Sequence, residues 1–455
     1  LLVKDKCFYK KMAVIAIPIS LQSMITIGVN MTDTVMVGKL GETSLSATAL
    51  ANQFVNIYQI CCMGIAMGAS VLTSRFWGMQ DITSLKKTIT LMLRLCIVLA
   101  VLFMLPTILI PQLLMRMYTN DSAVIAQGVQ YFKWMVYCYF LQGMTMTCTI
   151  VLRSVGQVNF PLFTSIGSFF VNILFNYMFI FGKLGVPRME VEGAGVGTLI
   201  ARVFEFSLIC GYFLFVDRKI GYRLKDLRMK CNSLIKDYVS ISIPVFVSDS
   251  LLALGTSAVA MVMGRVGTGF VSANSITVVT QQLTTVIIQG ICHASCIMTG
   301  HTLGHGEREK AQQQAWTFLI LGLVVGILGG GLIKVLSRPI IGLYNITPET
   351  AQIAGELMDA IAFIVIFQSM NSILTKGVLR GGGDTKFLMV ADIIFLWAAS
   401  LPLGILAGLV WHLDAFWIYV FLKIDQICKS IWCVFRLRSG KWIKTFSKEK
   451  MNHAQ

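Results

Sequence analysis

The sequence predicts an all-α integral membrane protein with twelve transmembrane helices in two related halves of six. Three observations predict it. The 455 residues are 56% hydrophobic and only 13% charged, more apolar than a soluble core requires. Mean hydropathy is +0.73. Apolar runs long enough to cross a bilayer, roughly 20 residues each, recur twelve times along the chain. Landmarks of the first half also return in the second at a fixed offset, and an internal repeat in so apolar a chain marks a transporter.

The runs fall at 13–37, 48–74, 88–112, 125–152, 160–183, 192–216, 235–262, 272–300, 313–337, 350–378, 386–410 and 414–436. Residues 1–216 form the expected first bundle, 217–236 a cytoplasmic connector, 237–436 the second bundle and 437–455 a cytoplasmic tail. In the repeat, Pro18 stands 20 residues before Gly38 and Pro244 stands 20 before Gly264. The offset of 226 then runs through Ala47/Ala273, Gly64/Gly290, Thr73/Thr299 and Gly78/Gly304. A second element follows at 227: Leu152-Arg153-Ser154-Val155-Gly156 with Phe160 matches Leu379-Arg380-Gly381-Gly382-Gly383 with Phe387. Both copies read as tight hairpins on the inner face, where glycine permits the turn and arginine meets the membrane surface.

The formal net charge of +16 could point to nucleic acid, but its distribution points to topology instead. With both termini cytoplasmic, inner segments hold 25 Lys and Arg, and outer loops hold seven: Lys39, Arg116, Lys183, Arg188, Arg265, Lys334 and Arg338. Positive residues stay inside, where they also meet anionic lipid heads. No nucleic-acid partner is expected. The expected location is the cell membrane, multi-pass, with no cleavable leader before the first span. The twelve cysteines lie almost wholly within spans and read as small apolar side chains, not as a disulfide framework. Gly322, Gly326 and Gly330, like Gly64 and Gly68, are spaced by four, which lets helices approach closely.

One residue breaks the symmetry with a charge. Asp33 lies in the first span, while its counterpart at 226 is Val259. An ionised carboxylate in the membrane interior costs about 2.5 to 3.5 kcal/mol on translocon scales. No Lys or Arg of the first span lies near enough to offset it, so function is favoured over a structural ion pair. Asn172 and Asn176, four apart on the fifth span, share one helix face, and their counterparts are Ala399 and Leu403. By themselves the two amides serve helix packing as readily as ligand binding. Pro18 lacks an N–H and removes a hydrogen bond from the first span, making it a candidate hinge.

Pro18 before Asp33-Thr34-Val35-Met36-Val37-Gly38, then Gly78-Met79-Gln80-Asp81, then Leu-Arg-x-x-Gly in both halves, form an ordered set at matching spacing. The chain thereby resembles the multidrug and toxic compound extrusion (MATE) family of the MOP flippase superfamily over essentially its whole length. The resemblance implies two six-helix bundles around a central cavity, and export of organic cations in exchange for H⁺ or Na⁺ by alternating access. It implies a cation site in the first bundle at Asp33, Asn172, Asn176 and Thr198. Carboxylate, amide and hydroxyl oxygens are hard donors that suit Na⁺, and the same cluster could hold a proton on Asp33. No cofactor beyond the coupling ion is expected, and the protein is expected to act as a monomer. The Na⁺-coupled NorM branch has acids in its seventh and tenth helices. Here the tenth span has none between Asp359 and Arg380, and Asp249 stands slightly out of register, so the DinF-like branch is the nearer match.

The remaining polar residues have plainer readings. Arg202 and Glu205 are three apart and pair with each other, as do Asp425 and Lys429, four apart. Cys292, His293, Cys296, His301 and His305 have a poor spacing for zinc. The rival transporter reading is a lipid-linked oligosaccharide flippase of the same superfamily, which would need cationic side chains for a pyrophosphate. The cations inside spans are few: Arg94, Lys133, Arg202, Lys376, Lys423 and Lys429. No His-Glu-x-x-His or Gly-x-Ser-x-Gly motif supports a membrane enzyme.

Overall fold

The structure, a computed structural model, describes residues 2–344 and 346–446, apart from the Thr268 side chain. The predicted tail beyond residue 446 lies outside the described residues. Among the described residues, eleven helices are long and apolar enough to cross a bilayer. In order they are Lys6–Gly38, Glu42–Gly78, Ile82–Leu109, Ser122–Ser154, Asn159–Phe181, Val191–Val216, Asn232–Val266, Gly269–Gly304, Arg308–Gly342, Pro348–Leu379 and Thr385–Val410. Several exceed the predicted runs because 33 to 37 helical residues rise about 50 Å, beyond the roughly 30 Å hydrocarbon layer. The twelfth span is broken. Ala415–Leu422 and Ile424–Ser439 meet at Lys423, whose backbone leaves the helical region at φ −113°, ψ 17°.

The repeated motifs resolve into identical turns. In the first copy Gly156 N–H donates to Arg153 O (2.9 Å) and Gln157 N–H to Leu152 O (2.9 Å). In the second copy Gly383 donates to Arg380 O (3.0 Å) and Asp384 to Leu379 O (3.1 Å). Gly156 and Gly383 take φ of 87° and 86°, the left-handed conformation that ends a helix most cheaply at glycine. The Gly78-Met79-Gln80-Asp81 motif is another helix boundary: Asp81 caps the third span by accepting from Ser84 N–H (3.2 Å).

Contacts divide the chain into two compact units. One comprises Leu21–Trp77 and Asp81–Ser242, the other the residues up to Ser20, Gly78–Gln80 and everything from Ile243 onward. Two of the boundaries lie near prolines inside helices, two residues after Pro18 in the first span and two before Pro244 in the seventh. The opening twenty residues thus group with the second half of the chain.

In the first unit, Tyr58, Phe132, Tyr139, Cys62 and Ala100 belong to a core drawn from all six spans. Tyr58 donates to Tyr139 O (2.5 Å) through the gap left by Gly143, where a side chain would collide with the phenol. The connector is tied down: Arg94 donates to Leu227 O (2.6 Å) and Met229 O (2.9 Å), and Asp217 accepts from Gln157, Lys219 and Ile220. In the second unit, Val259, Phe270, Leu357, Met358 and Tyr419 share an apolar core. The glycine ladder works there as its spacing predicts. A Cβ on Gly326 would lie 2.7 Å from the Ile366 Cα, and one on Gly330 would lie 2.5 Å from the Ala362 carbonyl oxygen.

Candidate functional site

The strongest candidate lies within the first unit, between the first and fifth spans. Asn176 Nδ2 donates to Asp33 Oδ1 at 2.6 Å and to Asn172 Oδ1 at 3.1 Å. Asn172 and Asn176 are 3% and 1% exposed, so the amides are fixed inside the bundle. Asp33 is half-buried. The fifth span presents both amides because residues four apart stack on one face. A short donor to a carboxylate is a charge-assisted bond, the stronger kind. Asn176 Oδ1 faces the sixth span, is buried, and has no hydrogen-bond partner among the described residues.

The sixth span makes room for this arrangement. A Cβ on Gly197 would stand 2.0 Å from Asn176 Oδ1, and one on Gly193 would stand 2.5 Å from the Phe179 carbonyl. Gly193 and Gly197, four apart on one face, are therefore what let the fifth and sixth spans close on each other, while Gly195 faces Trp134 of the fourth span. Thr198 follows directly but makes no hydrogen bond to the cluster. Arg202, one turn further on, pairs with Glu205 (2.8 Å) as the spacing predicts. Nearer the second span, the Tyr131 hydroxyl donates to Asn52 Oδ1 (3.1 Å). Pro18 lies inside a continuous first helix, fifteen residues before Asp33 and beside the unit boundary.

At the matching place in the second unit, Val259 is buried in the apolar core. That unit holds its charges elsewhere. Lys429 pairs with Asp425 as the spacing predicts, and also with Asp392, a partner the spacing did not indicate. Lys429 Nζ lies 2.5 Å from Asp392 Oδ1 on the eleventh span and 3.9 Å from Asp425 Oδ2. The three residues are 4%, 3% and 2% exposed for Asp392, Asp425 and Lys429. Ser248 donates to Asp392 in a short contact, and Ser400 donates to Asp425 Oδ1 (3.0 Å). Asp392 could have been flagged from sequence, since an acid within a spanning run is a candidate by that fact. Asp249 is held by Arg380 Nη2 at 3.1 Å. Among the described residues, no group of three or more His, Cys, Asp or Glu is placed to hold a metal ion.

Comparison with known proteins follows these features closely. The MatE family's sequence model matches residues 18–178 and 244–427, one segment in each half, and each segment begins at its proline. "Probable multidrug resistance protein NorM" of Thermotoga maritima is 24% identical over 441 residues, 96% of this chain and 93% of its own length. "Uncharacterized transporter YisQ" of Bacillus subtilis is 24% identical over 419 residues, 90% of each chain. Among solved structures, a mutant of the Vibrio cholerae MATE transporter VcmN superposes with a TM-score of 0.86 at 16% identity, covering 95% of this chain and 97% of that one. A MOP superfamily transporter from Pyrococcus furiosus gives 0.84 at 18%, covering 96% and 97%. These two establish the shared fold: twelve helices in two bundles.

Proposed function

The chain belongs to the MatE family, a family of transporters and not of enzymes, and we propose that it is a secondary active multidrug efflux antiporter. It exports organic cations across the cell membrane by alternating access, in exchange for an ion taken up at Asp33. The observation that carries this reading is the Asp33–Asn176–Asn172 chain of hydrogen bonds inside one half, where the other half has Val259, Ala399 and Leu403. A half-buried carboxylate that the repeat does not require serves the transport cycle.

H⁺ is the first reading for the ion. Asn176 turns its N–H₂ toward Asp33 and donates to the carboxyl that would receive the proton. Protonation discharges Asp33 and weakens that bond, releasing the first span to move about Pro18. One H⁺ exchanged for one monovalent cation moves no net charge, so the pH gradient alone drives the cycle, about 1.4 kcal/mol per unit. Na⁺ is the second reading, and the unpartnered Asn176 Oδ1 favours it. A half-turn of that amide would set its oxygen beside those of Asp33 and Asn172, a hard-donor set. The membrane potential would then contribute about 2.3 kcal/mol per charge per 100 mV.

The flippase alternative loses support from the cations themselves. Four of the six cations inside spans, Arg94, Lys133, Arg202 and Lys429, are engaged by backbone carbonyls or carboxylates of this chain. The deciding experiment uses proteoliposomes loaded with ethidium. Efflux driven by an imposed pH gradient and abolished by a protonophore supports H⁺ antiport. Efflux driven by Na⁺ without a pH gradient supports the second reading, and no ion-driven efflux at all refutes both.

A further inference from the structure

The two copies of the Leu-Arg-x-x-Gly turn have the same backbone but different charge. Arg380 meets Asp249 Oδ1 at 3.1 Å. Arg153, 227 residues earlier, meets Gln22 Oε1 at 2.5 Å. Gln22 lies four residues after Pro18 and Asp249 five after Pro244, so each arginine folds back onto the same stretch of its half's first helix. Gln22 spends its own amide on Ser165 Oγ (3.0 Å). The Nε atoms of both arginines are buried and unbonded among the described residues, so Nε does not distinguish them. The counter-charge does: no carboxylate of the described residues lies within ion-pair distance of Arg153.

An arginine at a helix end could simply reach for water, but this one bends inward and is held by Gln22. As a whole the residue is half-buried, and Gln22 Oε1 engages one of its Nη groups. Guanidinium N–H groups match the planar or tetrahedral oxygens of a carboxylate or phosphate in paired fashion. We infer that Arg153, set by Gln22 and Ser165, is an oxyanion-binding site whose place is taken in the second half by the chain's own Asp249. The ligand is a phosphate-type oxyanion, supplied by an anionic lipid headgroup or by a dissolved anion. The positive residues expected around this turn would concentrate either one.

The test is thermal unfolding of the full-length protein in nanodiscs of phosphatidylcholine, alone or with phosphatidylglycerol, and with added inorganic phosphate or chloride at matched ionic strength. The unmodified protein should melt higher with phosphatidylglycerol or phosphate, saturably, and not with chloride. A shift with the lipid only assigns the headgroup as source, and a shift with phosphate alone assigns the dissolved anion. Gln22→Glu installs the missing carboxylate with little change in shape, and should raise the melting point without added anion while weakening half-saturation about tenfold or more. Arg153→Gln should remove the shift if it folds. Asp249→Asn should give the second half an anion response of its own. A Gln22→Glu protein that keeps the full anion shift would overturn the inference, as would an unmodified protein with no saturable shift from either anion.

Discussion

Asp33→Asn is the most direct test of the coupling site. The substitution is nearly isosteric, and its amide oxygen can still accept from Asn176 Nδ2, which now bonds Asp33 at 2.6 Å. The loss of a charge-assisted bond, about 1.5 to 3 kcal/mol, is offset by no longer holding a carboxylate inside the bundle, a cost of about 2.5 to 3.5 kcal/mol. Melting temperature should therefore hold or rise slightly. Transport should behave oppositely. In one-for-one exchange, one pH unit sustains about a tenfold substrate ratio across the membrane, and without a titratable group the ratio should fall to one. Ethidium accumulation in proteoliposomes with an imposed gradient reads this directly. Val259→Asp in the same background should not restore it, since Ala399 and Leu403 provide no oxygens. Undiminished gradient-driven efflux by Asp33→Asn would refute the assignment of coupling to this site.

With a Na⁺ gradient and no pH gradient, Asn172→Ala and Asn176→Ala should each weaken substrate release if Na⁺ is the ion; an unmodified protein indifferent to Na⁺ leaves H⁺ as the driver. Gly197→Ala should impair coupling as severely as loss of Asn176, because a Cβ there would stand 2.0 Å from Asn176 Oδ1; efflux at the normal rate would show that this contact is not needed. Lys429→Met should cost about 3 to 5 kcal/mol by leaving Asp392 and Asp425 buried without their cation, seen as a lower melting point; adding Asp392→Asn should recover part of it, and no recovery would deny the pairing. Cysteine labelling should find positions 39 and 188 outside and 223 and 441 inside, and outside labelling of the 217–236 segment would reverse the orientation.

What the sequence made legible follows from the kind of signal each feature leaves. Spans are written in apolar length and the halves in self-similarity, so eleven of the twelve spans emerge as single helices. Helix ends are less visible, since a hydrogen-bonded backbone continues into polar residues after the oil stops. The break at Lys423 leaves no local punctuation, because no glycine or proline marks it. The Asp33 cluster was legible only in part. Spacing put Asn172 and Asn176 on one face, but their meeting with a residue of the first span is a tertiary fact that only the family resemblance anticipated. Lys429 shows the limit of spacing arguments: Asp425, four residues away, could reach it, yet Asp392 on another helix sits 1.4 Å closer, at 2.5 Å against 3.9 Å. Arg94 likewise finds its acceptors in the connector, more than 130 residues on.

The repeat supplies an internal control on which charges serve folding. Both halves descend from one plan, so a polar group needed to assemble a six-helix unit should recur, or be replaced by something equivalent. In the second unit the buried charges are matched within the chain: Arg380 by Asp249, Lys429 by Asp392 and Asp425. That unit folds with its first helix apolar at Val259. In the first unit, Asp33 and Arg153 are each held by an amide. Amides stabilise an ion by dipole but do not neutralise it, so each group keeps most of its charge available to something outside the chain. A unit optimised for stability alone would have lost both, as the other half shows is possible. On the proposed function the carboxylate takes the cation that drives transport, and on the further inference the guanidinium takes an anion at the turn.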